Sequence, residues 1–132
     1  MKLLYDTNIV FDVIERRTPH YSASLQMLKQ AQHGTVEAAL ASHTIANIFY
    51  KYQQAIIPDI KNRFLNDFEI VCGDASLVRA SLNLGIRDLE DALQVAAAMA
   101  WKAAFIITRN ERDFKNSPIP ALSPSAFLKR FH

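Results

Sequence analysis

Short apolar runs alternate along this chain with longer segments in which apolar side chains recur every three or four positions, the pattern of strands alternating with helices. Lys2 to Tyr5 is the first run and ends at an acid, as buried parallel strands often do. Asn8 to Glu15 reads as a helix. Thr18-Pro19 restarts one, with Thr18 as N-cap and Pro19 at the first helical position, and His33-Gly34 ends it. Within it Tyr21, Leu25, Leu28 and Ala31 or Gln32 lay a stripe along one face. Val36 to Ala41 supplies a second strand. Ser42, His43 or Thr44 caps the next helix, in which Ile45, Ile48, Phe49 and Tyr52 share a face, and Pro58 begins a short helix through Leu65.

Phe68 to Cys72 reads as a third strand, followed by Asp74 as N-cap of a helix carrying Leu77, Val78, Ser81 and Leu82 and ended by Gly85. The segment from Asp88 to Trp101 is a helix rich in alanine, with Leu89, Leu93, Val95 and Met99 leaving it apolar nearly all round. It is expected to be central and buried. Ala104 to Thr108 makes a fourth strand, followed by a helical turn bearing Asp113. Ser117-Pro118-Ile119-Pro120 is an extended connector, Ala121-Leu122 a short fifth strand, and Ser123-Pro124 the start of a terminal helix. No internal repeat and no low-complexity segment interrupts this series.

A βαβα alternation argues for a parallel sheet covered by helices on both faces. Ligands of such sheets bind beyond the carboxyl ends of the strands, where Asp6 and the segment from Thr108 to Asp113 are placed.

Composition narrows the class without changing the fold. The chain has 132 residues, enough for one domain with a real core. Half of it is hydrophobic and 21% is charged, as in an ordinary globular protein. With 15 basic and 13 acidic side chains the net charge is +2, so any electrostatic argument is local. The single cysteine, Cys72, excludes an internal disulfide and is expected as a buried thiol, which fits a reducing cytoplasm. The start of the sequence reaches Asp6 too soon for the apolar region of a signal peptide. No apolar stretch approaches the ~20 residues a membrane span needs. A cytoplasmic protein without membrane attachment is expected.

Candidate chemistry lies in acids that stand where apolar segments meet helices: Asp6, Asp88, Asp91 and Asp113. Carboxylates gathered in one crevice repel one another, and a hard cation such as Mg2+ relieves that repulsion. Asp6 reads as a metal ligand or as the cap of the following helix, with Thr7 and Asn8 placed to hold its rotamer. Asp88 and Asp91 share one face of a helix start and could reach one cation, yet the same spacing resembles a capping box at a helix dipole. Asp113 sits among Arg109, Arg112 and Lys115, which suit either surface ion pairs or phosphate binding beside a metal. Asn110 and Thr108 offer neutral oxygens. His20, His33, His43 and His132 lack metal-ligand spacing and are expected at the surface or as caps. Phe49, Tyr50 and Tyr52 read as core rather than as a base-stacking platform, and neither a Ser/His/Asp order nor a glycine-rich phosphate loop occurs.

Asp6-Thr7-Asn8 after the first strand, Asp91-Ala92-Leu93-Gln94-Val95-Ala96-Ala97 on a late helix, and Thr108-Arg109-Asn110 leading to Asp113-Phe114 together resemble the PIN-domain nucleases. The likeness spans essentially the whole chain and is closest to VapC-type toxins of prokaryotic toxin-antitoxin pairs. It implies a single PIN-like domain over residues 1–132. The implied fold is a three-layer α/β/α sandwich around a parallel sheet of four or five strands. The implied activity is a Mg2+ or Mn2+ dependent endoribonuclease that dimerises and is neutralised by a cognate antitoxin. By the resemblance Asp6, Asp91 and Asp113 are metal-binding acids, and Asn110 and Thr108 match the polar residues after the fourth strand.

One position departs from the family pattern. In Ser42-His43-Thr44-Ile45-Ala46-Asn47 the last residue stands where most such toxins have glutamate. An amide oxygen binds a metal without contributing charge, which lowers affinity, and Asp88 offers a partial offset. The expected mechanism is metal-assisted phosphodiester hydrolysis with Arg109, Arg112 or Lys115 steering the RNA backbone. The alternatives are a catalytically weakened PIN-fold module that binds RNA or protein, and a structural interaction protein whose acids are caps and ion pairs.

Overall fold

The computed structural model describes residues 1–131, so the expectation for His132 lies outside the described residues. Five strands form, β1 (Lys2–Tyr5), β2 (Glu37–Ala41), β3 (Glu69–Val71), β4 (Phe105–Ile107) and β5 (Ala121–Leu122), each within a segment expected to be extended. All pair in parallel in the order β3-β2-β1-β4-β5. The helices are α1 (Thr7–Ile14), α2 (Tyr21–His33), α3 (Ser42–Tyr52), α4 (Ile57–Asp59), α5 (Leu65–Asp67), α6 (Ala75–Leu82), α7 (Leu89–Trp101) and α8 (Pro124–Phe131). A 3-10 turn at Gln53–Ile56 and a π turn at Ile60–Phe64 link α3 to α5 through α4.

Successive strand side chains point to opposite faces, and this divides the core in two. Leu3 and Tyr5 face one layer with Ile9, Met27, Ile48, Phe64 and Phe127. Leu4 and Ile106 face the other, where Ala39 and Ala41 meet Val95, Ala97 and Ala98 of α7. The result is the expected three-layer α/β/α sandwich. Its strand order reverses between β1 and β4, and such a reversal opens a crevice at the carboxyl ends of the two strands.

Several helix starts behave as their sequences imply. The Asp74 carboxylate accepts from the Ser76 amide at 2.9 Å, and Ser123 Oγ accepts from the Ala126 amide at 3.1 Å. Gly34 closes α2 in the left-handed region at φ 72°. The start of α2 differs from expectation: Thr18-Pro19 is a cis peptide in the preceding turn, and the helix begins at Tyr21. Neither Ser42, His43 nor Thr44 caps α3, because the N-cap position falls on Ala41 and all three lie inside the first turn.

Three burial expectations also change. Cys72 lies beyond the end of the edge strand β3 and is exposed. Tyr50 is 82% exposed: Phe49 and Tyr52 join the core-facing stripe of α3, and Tyr50 lies off it. The central helix α7 buries Ala92 and Gln94 to Ala98 but leaves Leu89 and Met99 exposed, so one side of it faces outward. No helix among the described residues is long and apolar enough to cross a membrane.

Candidate active site

Asp6 follows β1 directly, and its amide donates to the Ile107 carbonyl at 2.8 Å, which fixes it at the point where the strand order reverses. The residue is 6% exposed, and its carboxylate is surrounded by donors. The Thr7 amide donates to Oδ1 at 2.8 Å, so Asp6 does cap α1. Asn8 Nδ2 donates to Oδ2 at 3.1 Å and Thr108 Oγ1 to the same oxygen at 2.8 Å. Gln94 Nε2, from the middle of α7, reaches Oδ1 at 3.3 Å. The helix cap and the candidate site acid are therefore one carboxylate, and Thr7, Asn8 and Thr108 each donate a hydrogen bond to it.

A polar seam between α3 and α7 closes the site behind Asp6. Thr44 Oγ1 lies 2.8 Å from Thr7 Oγ1 and accepts from Gln94 Nε2 at 3.1 Å. One helical turn further out, Asn47 Nδ2 donates to Glu90 Oε1 at 2.7 Å. The β4 side is tied in by the Asn110 amide, which donates to Thr108 Oγ1 at 3.1 Å.

Electrostatics set this crevice apart from the rest of the molecule. Burial pushes the Asp6 carboxyl up to about 6, against the pull of its Thr108 and Thr7 hydrogen bonds, and the charges of Glu90 and Asp113 add to the rise. Asp91, half-buried at the start of α7, is pushed up to about 7, first by burial and then by Asp6, Asp88, Asp113 and Glu90. Five carboxylates from three segments thus act on one another. Asp88 also serves the helix itself, because its side chain accepts from the Asp91 amide at 3.0 Å and caps α7.

A cavity of about 470 Å³ opens beside these acids, between the start of α7 and the turn after β4. Asp88, Asp91 and Asp113 line it together with Arg87, Arg112 and Lys115. Arg109 is absent from this lining. Its Nε stands 3.5 Å from the fully buried Asp12, which Arg17 approaches to 3.8 Å from the other side. Asn110 is also absent from the cavity wall and is exposed, lining a separate open pocket with Arg109, Glu111, Arg112 and Asp113.

The donor set suits a hard divalent cation in its chemistry: carboxylate and amide oxygens, and no sulfur or imidazole. The amide of Gln94 is fully buried against Asp6, and its Oε1 has no hydrogen-bond partner. No three His, Cys, Asp or Glu side chains among the described residues stand close enough to hold one ion jointly. Mg2+ keeps several waters and needs only one or two carboxylates, so Asp6 and Asp91 fit that mode.

Sequence reasoning did not single out Glu90, Gln94, Thr44, Asp12 or Arg87. Gln94 had a signal, as the one amide in an alanine-rich apolar helix, three residues after Asp91. Asp12 had another, as an acid between the apolar residues of α1. Thr44 carried none, because a threonine near a helix start reads first as a cap.

No functionally curated protein matches the chain. Solved structures do resemble it. VapBC2 from Rickettsia felis bound to a promoter DNA fragment has a chain with a TM-score of 0.69 at 21% identity, covering 93% of this chain and 98% of that one. A toxin-antitoxin complex from Klebsiella pneumoniae has one at 0.70 and 23%, covering 92% and 97%. FitAcB from Neisseria gonorrhoeae has one at 0.63 and 14%, covering 93% and 98%. At these identities the likeness concerns the fold. The sequence itself matches the family model described as PIN domain over residues 2–112, and PIN domains are generally nucleases. That match runs from β1 into the turn after β4, stopping one residue short of Asp113, and so takes in the elements that carry Asp6, Asp88 and Asp91, and the chain belongs to the PIN-domain family.

Proposed function

We propose that this protein is a Mg2+ or Mn2+ dependent endoribonuclease, the toxin of a toxin-antitoxin pair. The observation that carries the reading is the pair of raised carboxyls, Asp6 and Asp91, each pushed up first by burial and then by neighbouring acids, in a chain of the PIN-domain family. A site that is electrostatically unfavourable in the protein alone is one that a cation stabilises. The choice of RNA and of an antitoxin rests on the likeness to VapC-type toxins, and one structural neighbour is a toxin-antitoxin complex. A homodimer belongs to the same reading and is supported by the apolar side chains of Val78, Leu82 and Leu89 at the surface.

Bound Mg2+ or Mn2+ supplies Lewis acidity toward water and the phosphodiester. Asp6 and Asp91 would hold it, with Asp113 across the crevice. Thr108, Asn8 and the Thr7 amide fix the Asp6 carboxylate in one rotamer, so little reorganisation is needed when substrate arrives. Arg112 and Lys115 bind phosphates along the cavity wall, and Arg87 joins them from the opposite side. Asn110, exposed beside Arg112 and Asp113 in the neighbouring pocket, orients a water or a phosphate oxygen by its amide.

RNA cleavage by the purified protein is expected with Mg2+ and not with chelator, and not in Asp6→Asn or Asp91→Asn. Cleavage that survives chelator and both substitutions overturns the reading. A second reading, an RNA- or protein-binding module with a weakened site, draws on Asn47 being neutral. It predicts RNA affinity without Mn2+ binding at millimolar metal.

A further inference from the structure

Asp12 stands apart from the acids of the crevice. It lies on α1 with no solvent exposure, and neither of its carboxylate oxygens accepts a hydrogen bond among the described residues. Two arginines approach it. Arg17 stands 3.8 Å away and is committed elsewhere, because its Nε and Nη2 donate to Glu15 Oε1 at 3.0 and 2.8 Å. Arg109 brings its Nε to 3.5 Å, and this ion pair is the only polar contact of the Arg109 side chain among the described residues. Burying a carboxylate without hydrogen bonds opposes folding rather than supporting it. What the pair does secure is the placement of one guanidinium.

The Nε edge of Arg109 is buried, while the side chain keeps 26% of its surface and lines an open pocket of about 480 Å³ with Asn110, Glu111, Arg112 and Asp113. Arg112 and Asp113 line the acid cavity as well, so the two spaces adjoin. A guanidinium held by one edge against a carboxylate presents its remaining N–H donors as a fixed fork, the geometry that receives a phosphate. Glu111, an acid of the same pocket, has one oxygen engaged by the Ser123 amide at 2.8 Å. We infer that this pocket is a second phosphate-binding subsite, in which Arg109 receives the RNA backbone next to the acid cavity, and that Asp12 is the residue positioning Arg109. The strand then runs from Lys115 and Arg112 in the cavity to Arg109 beyond it, across the turn after β4.

The inference rests on the RNA reading of the proposed function, and the test keeps the two apart. A short fluorescent oligouridylate is titrated with the full chain in chelator over a series of salt concentrations, and a thermal midpoint is recorded for each variant. Arg109→Gln is expected to lower affinity by about fivefold and to reduce the slope of log K against log salt by about 0.7, one phosphate contact. Removing the Asp12 charge would raise RNA affinity if charge alone mattered. For a positioning residue the sign is opposite. Asp12→Asn is expected to lower affinity by about threefold with little change in midpoint, and to have no further effect in the Arg109→Gln background. Unchanged affinity and slope in Arg109→Gln overturn the subsite. An affinity that rises or stays level in Asp12→Asn, or falls equally with and without Arg109, overturns the positioning role. A wild type that binds no oligouridylate overturns the RNA reading and the inference with it. The assay holds no metal, so a failure of metal-dependent cleavage bears on the nuclease reading alone.

Discussion

In metal-free protein at neutral to alkaline pH, Asp91→Asn is expected to make the fold more stable. Its carboxyl rises from 3.8 to about 7 on folding, chiefly through burial and then through Asp6, Asp88, Asp113 and Glu90. A raised folded value means the associated stability is complete below the unfolded value and is lost as pH climbs through the folded one. Wild type therefore loses stability between about pH 4 and pH 7 from this group, and the asparagine variant does not. The full shift corresponds to about 4 kcal/mol at 1.36 kcal/mol per unit. Asp91 is only half-buried and shares its repulsion with Asp6, so solvent screening reduces the expected gain to about 1–2 kcal/mol. For a domain of this size that is a rise in midpoint of about 4–8 °C. The assay is thermal unfolding of both proteins in chelator at pH 4 and pH 8. The midpoints should converge at pH 4 and separate at pH 8 with the variant higher. Adding Mn2+ should then raise wild type far more than the variant, because only a folded site that binds the ion gains from mass action. A variant less stable than wild type at pH 8, or a gap that ignores pH, would refute the repulsion argument and return Asp91 to the role of a helix-start residue.

Asp88→Ala should cost about 1 kcal/mol as a lost cap, while Asp88→Asn, a good cap, should be near neutral; urea unfolding measures both. Burial pushes the Asp12 carboxyl up in spite of Arg109 at 3.5 Å and Arg17 at 3.8 Å, and both arginines keep contact with solvent, so Asp12→Asn should change stability at pH 7 by less than about 1 kcal/mol in the same measurement. The Arg112→Gln, Lys115→Gln double variant should bind single-stranded RNA more weakly and flatten the salt dependence, reducing the slope of log K against log salt by about 1.4 for two lost phosphate contacts. An unchanged slope would place the RNA backbone elsewhere.

The sheet was legible because each strand is a short apolar run with a helix signature on both sides, and the acids at the ends of β1 and β4 announced the crevice. What stayed hidden was pairwise. The sequence shows that Asp88, Glu90 and Asp91 open one helix, but the division of labour among them depends on which carboxylate meets the Asp91 amide and which meets Asn47 on another helix. Arg109 illustrates the same limit. Beside Arg112 it reads as a phosphate binder, and only the packing of α1 under the turn after β4 places the buried Asp12 within its reach. Tyr50 and Cys72 failed for a simpler reason: neighbours in an apolar run share hydrophobicity but not a facing direction, and one step along α3 or past the end of β3 turns a side chain to solvent.

How the fold tolerates this many acids in one crevice follows from its helix starts. Asp6 sits at the N-terminus of α1 and Asp88 to Asp91 at that of α7, so two helix dipoles point their positive ends at the carboxylates. Four donors on Asp6 add a second, local compensation. Neither offsets the rise at Asp91, whose value is set by burial and neighbouring charge. The small side chains of Ala39 and Ala41 against Ala97 and Ala98 pack α7 closely on the sheet, and that approach carries Asp91 toward Asp6. The alanines that make α7 look like mere core thus set the burial and the neighbouring charge that raise Asp91, and the proposed cation site rests on that raised acid.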